Sequence, residues 1–281
     1  MIAIDQLEAL ERRFAAEARQ FIANDETEKR PTITTYIVAD LEFIWDRTAH
    51  RTFAGDKQAT IPIRWPFDRV AAACWTRLKF VAGEPAPLVD STTLMSGDDN
   101  DEHEIVSALF EALHADRSAK LIMWGSEQRD LPVLRRAAMA HDLPLPVQLR
   151  DSSPNAAGRM DLCRQITGLG EKPKLAELAA AFGIPAKPEL PTQIGNLAER
   201  GFWEPVREQC GADVAVTALL AARYLASLAQ FSCDQVATDA AIASAFAAAF
   251  PKSRFATGTL ASWARGRTAR AKLRGHVSVA A

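Results

Sequence analysis

After Asp239 the sequence contains no aspartate or glutamate, while Lys252, Arg254, Arg265, Arg267, Arg270, Lys272 and Arg274 follow it. The net charge of −2 therefore hides a division: up to Asp239 there are 26 bases against 35 acids, and beyond it seven bases stand alone. Such asymmetry points to an anionic partner for the basic segment, or to acids in the body that a metal neutralises. Cysteine is also scarce. Cys74, Cys163, Cys210 and Cys233 are widely separated, with no Cys-x-x-Cys pair and no histidines at zinc spacing, which excludes a zinc ribbon or a disulfide framework. They read as small buried hydrophobes in a reducing compartment. No run of about 18 uncharged apolar residues exists; even 212–231 carries Asp213 and Arg223. The first residues lack a basic-then-apolar signal pattern, so the expected location is cytoplasmic. No internal repeat is visible.

What is present suits a globular chain. With 281 residues, 48% hydrophobic and 24% charged, there is enough apolar material for one large or two modest domains. Residues 5–23 set Leu7, Leu10, Phe14, Ala18, Phe21 and Ile22 at helical spacing, which predicts an amphipathic helix. A polar linker to residue 30 follows it. Between Trp45 and Arg69 periodicity is lost, and Arg47, His50, Arg51, Lys57, Arg64 and Arg69 are interleaved with Trp45, Phe53, Trp65 and Phe67. Bases mixed with aromatics suit a single-stranded nucleic acid, through phosphate pairing and base stacking; a surface loop with a few buried anchors fits the same pattern.

Two strands are predicted over 70–80 and 86–95, turning at Gly83-Glu84-Pro85. A helix over Ile105–Leu113, a short strand Lys120–Trp124 and a helix from Asp130 come next. Alternating strands and helices predict an α/β sheet whose site lies beyond the strand ends. Further helices are expected over 174–183, closed by Gly183, over 203–229 and over 240–250. Residues 185–191 read as a proline-rich loop. Residues 252–281 read as basic and poorly patterned, either a disordered tail or an anchor for DNA or a polymerase partner, with Phe255 and Trp263 available for stacking. This divides the chain into 1–30 (helix and linker), 31–230 (main body) and 231–281 (helical, then basic extension).

The stretch that organises the rest is Tyr36–Phe43. As a strand it puts Tyr36, Val38, Asp40 and Glu42 on one face and Ile37, Ala39, Leu41 and Phe43 on the other. Both faces are apolar up to Ala39, as in a central strand covered on both sides. Two carboxylates then share one face, roughly 7 Å apart at ~3.3 Å per residue. Like charges so near a core are costly unless a cation or hydrogen-bond donors offset them. Further acids follow. Asp130 opens a helix, with Pro132 in its first turn, and also reads as an N-cap. Asp161 reads as a structural helix start. Asp213 lies in the long helix, one turn after Gln209.

In this order the acids make the sequence resemble the predicted PolB-like 3′–5′ exonucleases of the DEDD superfamily, which have an RNase H-like fold. Val38-Ala39-Asp40-Leu41-Glu42 is similar to the first exonuclease motif, Met123–Leu134 around Asp130 to the second, and Gln209-Cys210-Gly211-Ala212-Asp213-Val214 to the third. Met160-Asp161-Leu162, Leu175–Leu178 and Phe182–Lys187 resemble the family's linking segments, so the likeness spans about 33–230. The family has Asn where Gly125 stands, an aromatic where Arg129 stands and Tyr where Gln209 stands. A sister branch has His where Glu208 stands.

The resemblance implies a three-layer α/β fold with a mixed central sheet. It also implies two hard divalent cations, Mg²⁺ or Mn²⁺, bridged by Asp40, with Glu42 and Asp213 on the first and Asp130 on the second. Gln209 takes the water-positioning place; it cannot titrate, but it can hold a water as a glutamine does in small GTPases. The implied partners are single-stranded DNA or RNA 3′ ends, with Trp45, Arg47, Arg51, Arg64, Trp65 and Lys187 as candidate contacts. A catalytically weak nucleic-acid-binding protein on the same fold is the other reading, and an RNA-directed exonuclease a third.

Overall fold

The structure is a computed structural model. It describes residues 33–57, 61–186 and 191–274; the helix expected over 5–23 and the candidate contact Lys187 lie outside the described residues.

Five strands form one mixed sheet in the order β3-β2-β1-β4-β5. They are β1 (Ile33–Trp45), β2 (Asp68–Val81), β3 (Leu88–Ser96), β4 (Lys120–Met123) and β5 (Arg159–Asp161). β1 runs antiparallel to β2 and parallel to β4, and β2 pairs antiparallel with β3. The central position of β1 follows from its sequence, since only a strand covered on both faces keeps both faces apolar. Tyr36 and Val38 enter one core, while Ile37, Ala39, Leu41 and Phe43 enter the other. The expected alternation thus holds up to the acids. Between Glu42 and Phe43 the register with β2 shifts by a bulge, a device that re-aims side chains at strand ends.

Helices cover both faces. The Ile37–Phe43 face carries α2 (Glu102–Ala115) and α3 (Asp130–Ala140), through Ile105, Leu109, Leu113, Val133 and Leu134. The opposite face carries α8 (Trp203–Ser227) and α9 (Gln235–Ala249). The fold is therefore the three-layer α/β arrangement expected. α8 is the one described helix long and apolar enough to cross a membrane, and 72% of its apolar window is buried within the fold.

Three stretches differ from expectation. The aperiodic region after β1 contains α1 (Arg47–Ala54), which Asp46 caps by accepting from the Ala49 N–H at 2.8 Å, and a 3₁₀ turn at Trp65–Phe67. Eight residues are too few to display a period. α7 (Pro191–Glu199) begins at the end of the expected loop, because proline is well tolerated in a first helical turn. The basic segment is ordered through Arg274: a π-helical turn (Phe255–Leu260) leads into α10 (Ala261–Arg274), which rules out the disordered-tail reading there. Phe255 is buried in the core, so it is not a stacking group.

Candidate active site

The site forms where β1 leaves the core. Asp40 and Glu42 project from its last third toward α8, which presents Asp213. One carboxylate oxygen from each of Asp40, Glu42 and Asp213 lies within 4.8 Å of the other two, and all three residues are half-buried. Two elements far apart in sequence are held in this register by packing. Cys210 donates its thiol to the Asp40 carbonyl at 3.4 Å, and Cys74 stands opposite Asp40 in the sheet. Both thiols are pushed well above their ordinary range by burial and then by the Asp40 charge, so they act as small apolar wedges, as the sequence suggested.

Burial pushes the Asp40 carboxyl well up; Asp213, Glu42 and Asp130 raise it further, against one backbone hydrogen bond at Leu41. Asp130 is therefore electrostatically in contact with the site, although it is not part of the 4.8 Å cluster. It is the first residue of α3, whose N-cap position is Arg129 with no side-chain capping bond; the capping role is not what Asp130 does. Burial pushes Asp130 to about 7, with Arg129 pulling down and Asp161 and Asp68 pushing up.

The segment that presents Asp130 is fixed from below. Asp161 accepts from the Gly125 N–H at 3.0 Å and the Glu127 N–H at 3.3 Å, and it caps its own helix α5 (Leu162–Thr167) through the Arg164 N–H. Its structural reading holds. Gly125 has φ +65°, the left-handed region that glycine and asparagine adopt most readily; this accounts for glycine where the resembling family has asparagine. Arg129 pairs with buried Asp68 at 2.6 Å and places its guanidinium 4.6 Å from the Phe43 ring centroid. Neither Arg129 nor Asp68 stood out in the sequence as a site residue. Arg129 was visible as a departure in the second motif, but its partner lies 61 residues away.

Gln209 is 6% exposed, donates Nε2 to Asp213 Oδ2 at 2.7 Å, and its Oε1 has no hydrogen-bond partner. A buried amide with an open acceptor beside three carboxylates is a place for a water O–H.

The candidate nucleic-acid contacts cluster directly after Glu42. Trp45 ends β1, and Arg47 stacks its guanidinium 5.2 Å from the Trp45 ring centroid while pairing with Glu199 of α7 at 2.8 Å. Arg51, Arg64 and Trp65 are exposed. The Asp46 N–H bond to the Phe67 carbonyl (2.7 Å) and the His50–Phe67 ring contact join α1 to the Trp65–Phe67 turn. Trp45 and the α1 arginines Arg47 and Arg51 therefore belong to a segment docked on the turn that carries Arg64 and Trp65, and Arg47 is already paired with Glu199.

The donor set fits hard cations. Divalent magnesium or manganese prefers carboxylate oxygens, and no described Lys or Arg forms an ion pair with Asp40 that would satisfy it in place of a metal. The acidic cluster can bind a metal ion.

No curated protein matches the chain in sequence. Among solved structures it is similar to the family B DNA polymerase of the hyperthermophilic archaeon Pyrobaculum calidifontis, at 14% identity over 84% of this chain and 29% of that one, TM-score 0.48. It is also similar to a product-bound exonuclease I (13% identity, 69% and 43% covered, TM-score 0.43) and to a zinc-bound E. coli exonuclease I–single-stranded DNA complex (13%, 70% and 41%, 0.42). The chain spans less than half the length of each. Residues 63–256 match a family described as predicted 3′–5′ exonucleases related to the exonuclease domain of PolB. That match includes Asp130, Gln209 and Asp213 and begins after the Asp40–Glu42 pair. It covers more than two thirds of the sequence, and the chain belongs to this family of predicted PolB-related 3′–5′ exonucleases.

Proposed function

We propose that the protein is a metal-dependent 3′–5′ exonuclease that shortens single-stranded DNA from its 3′ end and releases nucleoside 5′-monophosphates. The observation that carries this reading is the convergence of Asp40, Glu42 and Asp213 within 4.8 Å, with Asp130 adding to the charge on Asp40. Asp40, Glu42 and Asp213 would hold one divalent cation, and Asp130 together with Asp40 a second. Such ions, when bound, lower the pKa of an attacking water and offset the charge that develops on the leaving 3′ oxygen.

The chain's own residues supply position. Gln209 accepts a hydrogen bond from the attacking water at its open Oε1 while its Nε2 stays fixed on Asp213. The water oxygen bonds to phosphorus as its proton passes to solvent, the bond to the 3′ oxygen breaks, and that oxygen takes a proton from solvent, so the shortened strand keeps a 3′-hydroxyl. Arg129 restrains Asp130 from rising further. Trp45, Arg51, Arg64 and Trp65, in the segment after Glu42, stack bases and pair phosphates of the incoming strand; Lys187 is proposed for the same role from its sequence position. A second reading, binding without rapid turnover, is favoured by one observation: Gln209 has no titratable group with which to take a proton.

Digestion of a 5′-labelled single strand with Mg²⁺, Mn²⁺ or EDTA tests the proposal. A ladder of shortened products with metal, absent in EDTA and absent for Asp40→Ala, supports it. Undiminished digestion by Asp40→Ala overturns it. A gel shift with no shortening selects the binder. The same assay on an RNA strand distinguishes the sugar.

A further inference from the structure

Away from the acids, α10 presents Trp263, Arg267 and Arg270 at i, i+4 and i+7, which places them on one face. With Gly183, Val236 and Ala271 they line a cavity of about 310 Å³, at the small end of the roughly 300–1,000 Å³ typical of small-ligand sites. Two of its six walls are guanidinium side chains. The Trp263 indole N–H donates to the Gly183 carbonyl at 2.7 Å, fixing the ring, and the Arg267 guanidinium carbon stands 5.5 Å from its centroid.

Arg267 is positioned from behind. Asp239 on α9 is 0% exposed and pairs with Arg267 at 2.8 Å and with Arg223 of α8 at 2.7 and 2.9 Å. One carboxylate thus faces two guanidinium groups, Arg223 through hydrogen bonds and Arg267 through charge alone, its Nε making no hydrogen bond; the net charge is positive and its outer member is 27% exposed. An arginine already fixed by a buried acid loses little side-chain freedom when it meets a ligand. Arg270 is exposed and, among the described residues, bonds only the Gly266 carbonyl of its own helix, at 3.2 Å. No acid follows Asp239 in the sequence.

We infer that the Trp263–Arg267–Arg270 notch is a second nucleic-acid site, which holds the phosphodiester backbone of a single strand apart from the acidic centre. Arginine beside a fixed aromatic ring pairs phosphate and stacks a base together. An anionic membrane fits less well, because α10 offers few exposed apolar side chains for insertion, Leu273 being the large one. The site needs no hydrolysis, so it stands or falls separately from the nuclease reading.

The test is fluorescence anisotropy of a labelled single strand with the full chain in EDTA, over a series of salt concentrations. Arg270→Glu is expected to weaken binding about tenfold and to reduce the slope of log K against log salt by about 0.7 for each lost phosphate contact. Arg265→Glu, on the opposite side of α10, serves as the control and is expected to change binding less. Equal losses for the two variants, or none for Arg270→Glu, overturn the inference. So does a loss of binding to phosphatidylserine vesicles with strand binding intact.

Discussion

Gln209 sits where the resembling family carries tyrosine, and its hydrogen bonds decide how that change is read. It spends one end of its amide on Asp213 and leaves the other open. Gln209→Leu removes the acceptor and leaves Asp213 without its amide donor; the single-turnover rate of strand shortening should fall about tenfold or more. Gln209→Tyr returns a titratable hydroxyl and should raise that rate, whereas an unchanged rate would remove Gln209 from the reaction. Asp130 adds a pH dependence of defined sign. Its carboxyl, pushed to about 7 chiefly by burial, must be ionised to bind a cation, so metal-dependent activity should climb with pH through that region. Arg129 pulls the value down. In Arg129→Ala the rising limb of the pH–rate profile should therefore move to higher pH. At this scale the sequence showed the acids by residue type and order, because side-chain chemistry and strand alternation are local. It could not show the Arg129–Asp68 pair or the open end of Gln209, both of which depend on packing between distant elements.

Glu102 shows how elements are tied together. It is 5% exposed at the start of α2, where its carboxylate accepts from the Val70 N–H of β2 at 2.8 Å and from His141 at 3.0 Å and pairs with Arg136 of α3. Burial pushes its carboxyl up, but His141, the Val70 N–H and Arg136 together outweigh that and hold it below the usual range. Its contribution to stability is therefore present above the ordinary glutamate value and lost as pH falls through the lower folded one. Glu102→Ala should cost about 3–5 kcal/mol, read as a lower denaturant midpoint at neutral pH, with the gap to the parent closing in acid. Legibility among elements followed period and length. The long helix α8 and the strands β1 and β2 were readable because each buries a wide apolar surface. Helix α10 was not, since its own anchors are mainly Trp263 and Ala264, and the π-helical turn before it, with buried Leu260, breaks the 3.6-residue count. Helix α7 was hidden behind the prolines before it. The basic run from Arg265 onward looked like a solvated tail because its buried counter-charge, Asp239, belongs to another helix.

Across the whole molecule, the sheet concentrates negative charge at the end of its central strand, where no described Lys or Arg offsets the Asp40 carboxyl. Folding therefore works against ionisation there: Asp40 and Asp130 both have their carboxyls raised. Groups raised in this way stabilise the fold while protonated, and that stability is lost as pH rises through their folded values, about 7 for Asp130. A bound divalent cation binds the folded state and not the dispersed acids of the unfolded chain, so it restores the loss by mass action. In EDTA the melting temperature should decline from weakly acidic to alkaline pH, relative to the same protein in saturating Mn²⁺, and the two curves should converge near pH 5. Asp40→Asn removes the carboxyl whose ionisation folding opposes. It should raise the melting temperature in EDTA by a few degrees and nearly abolish the Mn²⁺ increment. An Asp40→Asn protein that melts lower than the parent in EDTA would mean that the acids are satisfied within the protein, and the cluster would lose its claim on a metal.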